Sequence, residues 1–476
     1  MRHHAARRAG FLLFSAAFSV AGCVRYEPKP LDDDAVARNL ATPDAPTLQA
    51  KASQLTHPIL KPLTIDLARG VSPDEAAVIA VIVNPQLRAE RDQRGIAAAQ
   101  LLQAGLLPNP QLVGGLDIPY DSSPPDNFTG YSIGPEWEIT SLITRDARRR
   151  AASSVAKSVA LDVAWKEWQV AQEARAAAYD VLALEAQLAA AREAHQQFAE
   201  NLAVVRRTFD RHDATLLDLS AAETSARDAH VVVVEQERAL VRQRLIVRRS
   251  LGFGPQDAAI AIHADSGSGE LPSRLDPPKV GELLAGLESR RLDLVALKRG
   301  YDSQDATLRA AVLAQFPKIT LGLNAAADTG NVKTIGIGVS ADLPIFDRNQ
   351  GNIRIESATR QKLFDEYAAR TFAARWEIAT AVTDIETANV QIAVVEAAIP
   401  ALDQLVRAYE SALRQGHVDI LSYYTARGAL AQKRIDVVKL KQQLIASWVA
   451  LELASGQYLP MRAATATSPT TQEARP

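Results

Sequence analysis

Few residues in this chain of 476 have the types and spacing that bond-making chemistry needs. There is no Walker loop and no H-E-x-x-H pair, so neither phosphate cradling nor zinc-hydrolase chemistry has its usual carriers. Gly336-Ile337-Gly338-Val339-Ser340-Ala341 fits a dinucleotide-type glycine pattern. It lies inside an alternating run and leads to Asp342-Leu343-Pro344 rather than a helix, so it does not read as a phosphate site. His212 and His417 lie at the two tips without a Cys or Glu cluster beside them, which reads as solvent-facing polarity and no metal site. Asp213, Asp218 and Asp419 lie in the same two places, where a carboxylate either caps a helix or supplies charge at an opening. Cys23, the only cysteine, excludes an intramolecular disulfide framework and directly follows an apolar leader. The chemistry on offer is thus a single thiol behind an apolar leader and electrostatics at the three aspartates, with no cofactor and no catalytic group.

The elements that carry these residues are very long. Between Trp137 and Leu251 there is no glycine or proline, and apolar residues recur at helical spacing. Asp210-Arg211-His212-Asp213-Ala214-Thr215 is polar and poor in helix formers, so a helical hairpin should turn there and resume at Leu216. Its first arm, about Ser141 to Phe209, spans roughly 100 Å at 1.5 Å per residue. A second long helix opens after Pro344–Gly351 and runs to about Gln415, with a modest bend expected at Pro400. Its tip covers Gly416 to Thr425, and Gly416 suits a sharp turn; His212 at the corresponding first position suggests a looser one. Aromatic residues are only 5% and alanine is abundant, which implies a thin helix-to-helix seam. A formal net charge of -2 leaves no nucleic-acid footprint. The basic run Arg145, Arg148, Arg149, Arg150 fits a charged helix face, lipid head groups or a tunnel lining.

The chain repeats itself. Ile133-Gly134 lines up with Ile337-Gly338, Leu216-Leu217 with Ile420-Leu421 and Gly252 with Gly456, each 204 positions apart, while Pro110-Gln111-Leu112 matches Pro317-Lys318-Ile319 at 207. Each half begins with helices: Ser72-Pro73-Asp74-Glu75 opens one ending near Val83, Pro85 opens another to about Ala104, and the second half has a helix from near Pro278 to Ala314. Period-two segments follow, Asn109 to Ile118 and Phe128 to Ile139, then Lys318 to Ala326 and Thr334 to Leu343. A tilted strand of about ten residues can cross a hydrocarbon core, but open edges are not tolerated there. Four strands cannot close a barrel, so the chain must associate; a dimer brings eight strands and a trimer twelve. Tyr131 and Trp137 fit an interfacial aromatic belt, and Trp165 and Trp168 should pack about midway along the rods.

The ends divide from this body. Arg2, Arg7 and Arg8, the apolar run Phe11 to Val20 and then Ala21-Gly22 read as an export signal, residues 1–22. Val20-Ala21-Gly22-Cys23 resembles the bacterial lipobox, and Val24, where inner-membrane lipoproteins carry Asp, implies an outer-membrane anchor. Residues 23–55 should form a lipidated, extended tether, 56–252 the first repeat, 253–275 a connecting belt, 276–457 the second repeat and 458–476 a disordered tail.

Four motifs carry a resemblance: Asn84-Pro85-Gln86-Leu87-Arg88, Ala104-Gly105-Leu106-Leu107-Pro108-Asn109-Pro110-Gln111-Leu112, Leu343-Pro344-Ile345-Phe346-Asp347-Arg348, and Gly416-His417-Val418-Asp419-Ile420-Leu421. In this order, over roughly residues 60 to 457, the chain resembles the TolC-like outer-membrane efflux proteins. The resemblance implies a homotrimer, mainly α with a small β part, whose twelve-stranded barrel in outer-membrane lipid continues as a twelve-helix periplasmic tunnel. It also implies docking with a periplasmic adaptor and an inner-membrane pump, as the passive duct of a tripartite efflux or type I secretion system. In that family the positions six and nine after the tip glycine can carry Asp; here they are Ser422 and Thr425, so the charge falls to Asp213, Asp218 and Asp419. The competing readings are a lipid-anchored coiled-coil scaffold or adhesin without a pore and, more remotely, a metabolic enzyme. Cargo, whether metal ions, drugs or polypeptides, is not encoded in one channel chain.

Overall fold

The computed structural model describes residues 25–120, 128–258, 260–264, 271–415 and 420–461. It divides into two compact units, Met1–Ala41 and Thr42–Pro476. In the first, α1 (Asp33–Leu40) starts on Asp32, whose carboxylate accepts from the Ala35 N–H at 2.6 Å. The second opens with α2 (Ala45–Ser53), which has proline in its first turn and buries Leu48 and Ala52 one turn apart. Two helices therefore interrupt the extended tether expected over Tyr26 to Ser53. Local caps and one apolar pair outweighed its proline-rich composition.

Glu75 and Ser72 form a reciprocal capping box at the start of α3 (Pro73–Val83), and α4 (Pro85–Gly105) follows after the single break at Asn84. Then come β1 (Gln111–Asp117), β2 (Gly130–Glu138), the 71-residue α5 (Thr140–Asp210) and α6 (Leu216–Leu251). The same order returns. Short helices α7 (Val280–Leu284) and α8 (Leu287–Arg290) lead to α9 (Leu292–Leu313), β3 (Ile319–Ala327), β4 (Lys333–Ala341), α10 (Gln350–Arg414) and α11 (Ile420–Ser455). The single helix expected from Pro278 to Ala314 is thus broken twice. Gly286 adopts a left-handed φ of 69°, and Arg291 is extended, which sends its guanidinium to the Ala454 carbonyl at 3.1 Å. Helix α10 runs on through Pro400 as one element.

The return helices are about half the length of α5 and α10, so each long rod has two kinds of neighbour. Towards the hairpin turn, α5 lies against α6, with Arg192–Glu237 at 2.7 Å and Arg206–Glu223 at 2.6 Å bridging them. Towards the sheet it lies against α4 and α9, with the Ser158 hydroxyl donating to Ala296 O and the Ser303 hydroxyl to Ala151 O. The core is a chain of small apolar clusters strung along these seams, as the alanine-rich composition led one to expect. Trp165 and Trp168 are buried in one of them, between α3, α4 and Leu292.

Both return helices close in the same way. Gly252 and Gly456 take left-handed φ values of 79° and 65°, and a Cβ on either would strike the backbone of Asn84 or Arg291 at 2.8 or 3.0 Å. Asn84 Nδ2 donates to Ser250 O and Arg291 Nη1 to Ala454 O. The residue at each helix break thereby satisfies a carbonyl in the last turn of the returning helix.

Candidate functional site

Three regions carry the expected functional residues: the sheet, the hairpin turn and the polar middle of the helices. The sheet has strand order β1-β2-β3-β4, antiparallel throughout. Its register sorts the side chains into two faces. Leu112 and Leu116 pair with Pro135 and Tyr131; Tyr131, Ile133 and Trp137 pair with Ala327, Ala325 and Leu321; and Leu321, Leu323 and Ala325 pair with Val339, Ile337 and Ile335. The opposite face reads Gln111, Val113, Gly115 and Asp117, then Ser132, Gly134, Glu136 and Glu138, then Thr320, Gly322, Asn324 and Ala326, then Thr334, Gly336, Gly338 and Ser340, so it is polar or glycine except for Val113 and Ala326. Every residue of β1 and β4 is exposed, and Ile335, Ile337 and Val339 are 89%, 79% and 67% accessible. Apart from Ala327, which is buried, and Ile319 and Trp137, which are half-buried, this apolar face is exposed among the described residues. The glycine pattern at 336–341 lies on β4, where its glycines stand on the polar face.

At the centre of the sheet, a Cβ on Gly134 would sit 1.6 Å from the Leu323 carbonyl oxygen, so no other residue fits there. Trp137 is fixed by its indole N–H donating to Pro108 O at 2.8 Å. Arg145, first of the basic run, donates twice to Gly105 O, at 2.9 and 2.5 Å, and ties α5 to the end of α4. Arg148 donates to Ser141 O and Arg150 pairs with Asp146, which leaves these two serving their own helix.

At the first hairpin turn, His212 takes a left-handed φ of 64°. Its N–H donates to Phe209 O and that of Asp213 to Thr208 O, the pattern that usually ends a helix on glycine. The looser turn expected from the absence of glycine is not found; the histidine adopts the strained conformation itself. Asp213 is exposed in that turn. Asp218 is the third residue of α6, and its carboxylate accepts from the Thr215 N–H at 2.8 Å and hydroxyl at 2.6 Å in a capping box. Leu216 and Leu217 beside it are 68% and 78% accessible. Gly416, His417 and Asp419 at the second turn, and Cys23, lie outside the described residues.

The middle of the rods holds what sequence reading missed. Arg175 on α5 is buried, with Nε 2.7 Å from Asp74 of α3 and Nη1 bonded to Glu452 of α11. Glu452 also accepts from Leu459 N and from Gln172, while Tyr458 covers Arg175 and donates to Asp74. Burial alone would lower the Arg175 pKa; the Glu452 and Asp74 carboxylates reverse that, and the guanidinium stays charged. A second buried group joins Arg291 to Asp293 and Glu377, with Arg370 bridging both carboxylates. A third sets Glu167 against Arg91 and Arg94. Beside it, buried His57 accepts at Nδ1 from the Ile59 and Leu60 N–H groups and faces Ala164 O with Nε2 at 3.0 Å. Burial lowers its pKa, and two donors aimed at Nδ1 leave no room for a second ring proton. A lone Glu452 among Trp448, Val449, Leu451 and Ala454 was the one sequence signal for such a cluster.

These networks hold helices together and offer no nucleophile with a base. Among the described residues no group of three or more His, Cys, Asp and Glu side chains gathers.

A family model described as outer membrane efflux protein matches residues 283–457. The cobalt-zinc-cadmium resistance protein CzcC of Cupriavidus metallidurans is 28% identical over 223 residues, 46% of this chain and 51% of that one, so the chain spans about half the length of this curated relative. Two solved structures share the fold. One is CusC, described by its conformational changes on folding and transmembrane channel formation, with TM-score 0.68, 16% identity, and 85% of this chain and 98% of that one covered. The other is the outer membrane protein VceC of Vibrio cholerae, with TM-score 0.67, 18% identity, and 81% and 96% covered. The outer membrane efflux protein model thus matches the second set of elements, and the chain shares the fold of these outer-membrane channels along nearly their whole length.

Proposed function

We propose that the chain is the passive exit duct of a tripartite efflux system: a homotrimer whose twelve strands close a barrel in the outer membrane and whose helices form a periplasmic tunnel. The observation that carries this reading is the two-faced sheet. Most of its apolar face is uncovered, and its outer strands β1 and β4 each pair on one side only among the described residues. In lipid such edges must be closed by further copies, and apolar-out, polar-in strands are how a barrel separates lipid from a wet lumen. The apolar stretch of α10 supports association too, since Phe364, Phe372, Trp376, Val390 and Val394 on it are exposed in the single chain. The matched closures at Gly252 and Gly456 support a tandem repeat, each subunit counting as two similar units around the ring.

In this reading the hairpin turns form the periplasmic entrance, where an adaptor and an inner-membrane pump dock. Asp213, Asp218 and Asp419 supply its charge and Gly416 makes the second turn. Asp218 does so only through the carboxylate capacity left after capping Thr215. Cys23, lipidated after loss of residues 1–22, anchors the chain; Tyr458 and Leu459, expected to open a disordered tail, instead pack against Arg175 and Glu452. The name of the resistance relative supports divalent transition-metal cations as cargo.

Planar-bilayer conductance of the purified protein tests the duct. Discrete trimer-sized channels are expected, and an oligomer that never conducts would favour the pore-free scaffold instead. Cys23→Ser is expected to weaken membrane anchoring while conductance of the solubilised trimer persists.

A further inference from the structure

His195 on α5 and His230 on α6 face one another across the seam, ring centroids 5.0 Å apart and planes tilted by 40°. Neither imidazole has a hydrogen-bond partner among the described residues. They line an open groove of about 490 Å³ made by α5 and α6 alone, with Ala199, Leu202, Ala226 and Val231 as its apolar wall. The charged groups around it are already engaged: Glu223 is 2.6 Å from Arg206 and 3.5 Å from Arg227, and Arg192 is 2.7 Å from Glu237. Packing does not require the pair. At the offset of 204 the matching positions on α10 and α11 are Ile399 and Arg434, the latter paired with Glu193.

We infer that His195 and His230 chelate a divalent transition-metal cation and clamp α5 to α6 about 20 Å from the hairpin turn. An ion about 2.0–2.1 Å from one nitrogen of each ring, at a tetrahedral angle, sets the ring centres about 5 Å apart. The centroid spacing of 5.0 Å matches that distance. The groove has no surplus negative charge, so magnesium or calcium has nothing to bind, whereas neutral imidazole suits zinc, nickel or copper. With two protein ligands and water completing the shell, the ion is exchangeable rather than a folding requirement. This inference stands apart from the duct reading, since binding is measured on purified protein without transport.

The test is titration of the untagged, detergent-purified protein with NiCl₂ and ZnCl₂, followed calorimetrically and by thermal unfolding. We expect one strong site per chain, at least tenfold weaker binding in both His195→Asn and His230→Asn, and no response to MgCl₂. Copper electron paramagnetic resonance should show two imidazole nitrogens in the wild type and lose that signature in either variant. Unchanged affinity in either variant, or an equal response to magnesium, overturns the clamp; that result would move any metal binding to other histidines such as His212.

Discussion

The sheet and the middle of the helical rods are built on opposite rules. In the sheet, Ile335, Ile337 and Val339 face outward and unburied, while Thr334, Gly336, Gly338 and Ser340 share the other face. In the rods, Arg175, Arg291, Glu167 and Glu452 are buried, and small apolar residues carry the seams around them. In the proposed duct, the difference fits one chain to two solvents. Where water surrounds the protein, charges can be interred only in paired networks, because an unpaired buried charge costs several kcal/mol. Where lipid would surround the sheet of the proposed barrel, an apolar exterior is the stable one.

This contrast makes quantitative demands. Arg175→Ala leaves Glu452 buried without its cation and should lose about 3–5 kcal/mol in denaturant unfolding, whereas the exposed pair lost in Arg192→Ala should cost about 1 kcal/mol or less. Equal losses would mean the buried network is not what joins the two halves. Ile337→Lys should destabilise the bilayer-inserted protein by about 2–4 kcal/mol, while Thr334→Lys on the other face should be nearly neutral. If the two lysines behave alike, the sheet does not separate lipid from water.

The smallest effect concerns His57, whose folded pKa lies below the ordinary 6.5 because of burial. Above pH 6.5 both folded and unfolded forms are neutral and its contribution is complete. As the pH falls, the unfolded chain binds the proton first, so stability is lost down through the folded pKa. His57→Gln retains an acceptor and a donor but does not titrate. The difference in unfolding free energy between wild type and variant should therefore shrink from pH 7.5 to 5.5, and a parallel pair of pH curves would refute a neutral His57.

Much of the architecture was legible because helices and strands announce themselves by period. The rods, the turn at 210–215, the four strands and the Ser72–Glu75 capping box all follow from local residue types. The helices α1 and α2 in the supposed tether were missed because their caps are short and their apolar content slight. The break at Arg291 was missed because its cause, the Ala454 carbonyl, is remote in sequence. At the turn, an aspartate in sequence reads equally as gate or cap; Asp218 proves to cap Thr215, and only coordinates distinguish a carboxylate that accepts from its own helix.

Sequence alone decided the length of the rods and the two-residue alternation of the strands, since each depends on neighbours a few positions away. Tertiary structure decided which strand faces merge into one apolar surface, which charges are buried together and which imidazoles meet. Those depend on register and on helices brought side by side from positions tens to hundreds of residues apart, where no local propensity reaches.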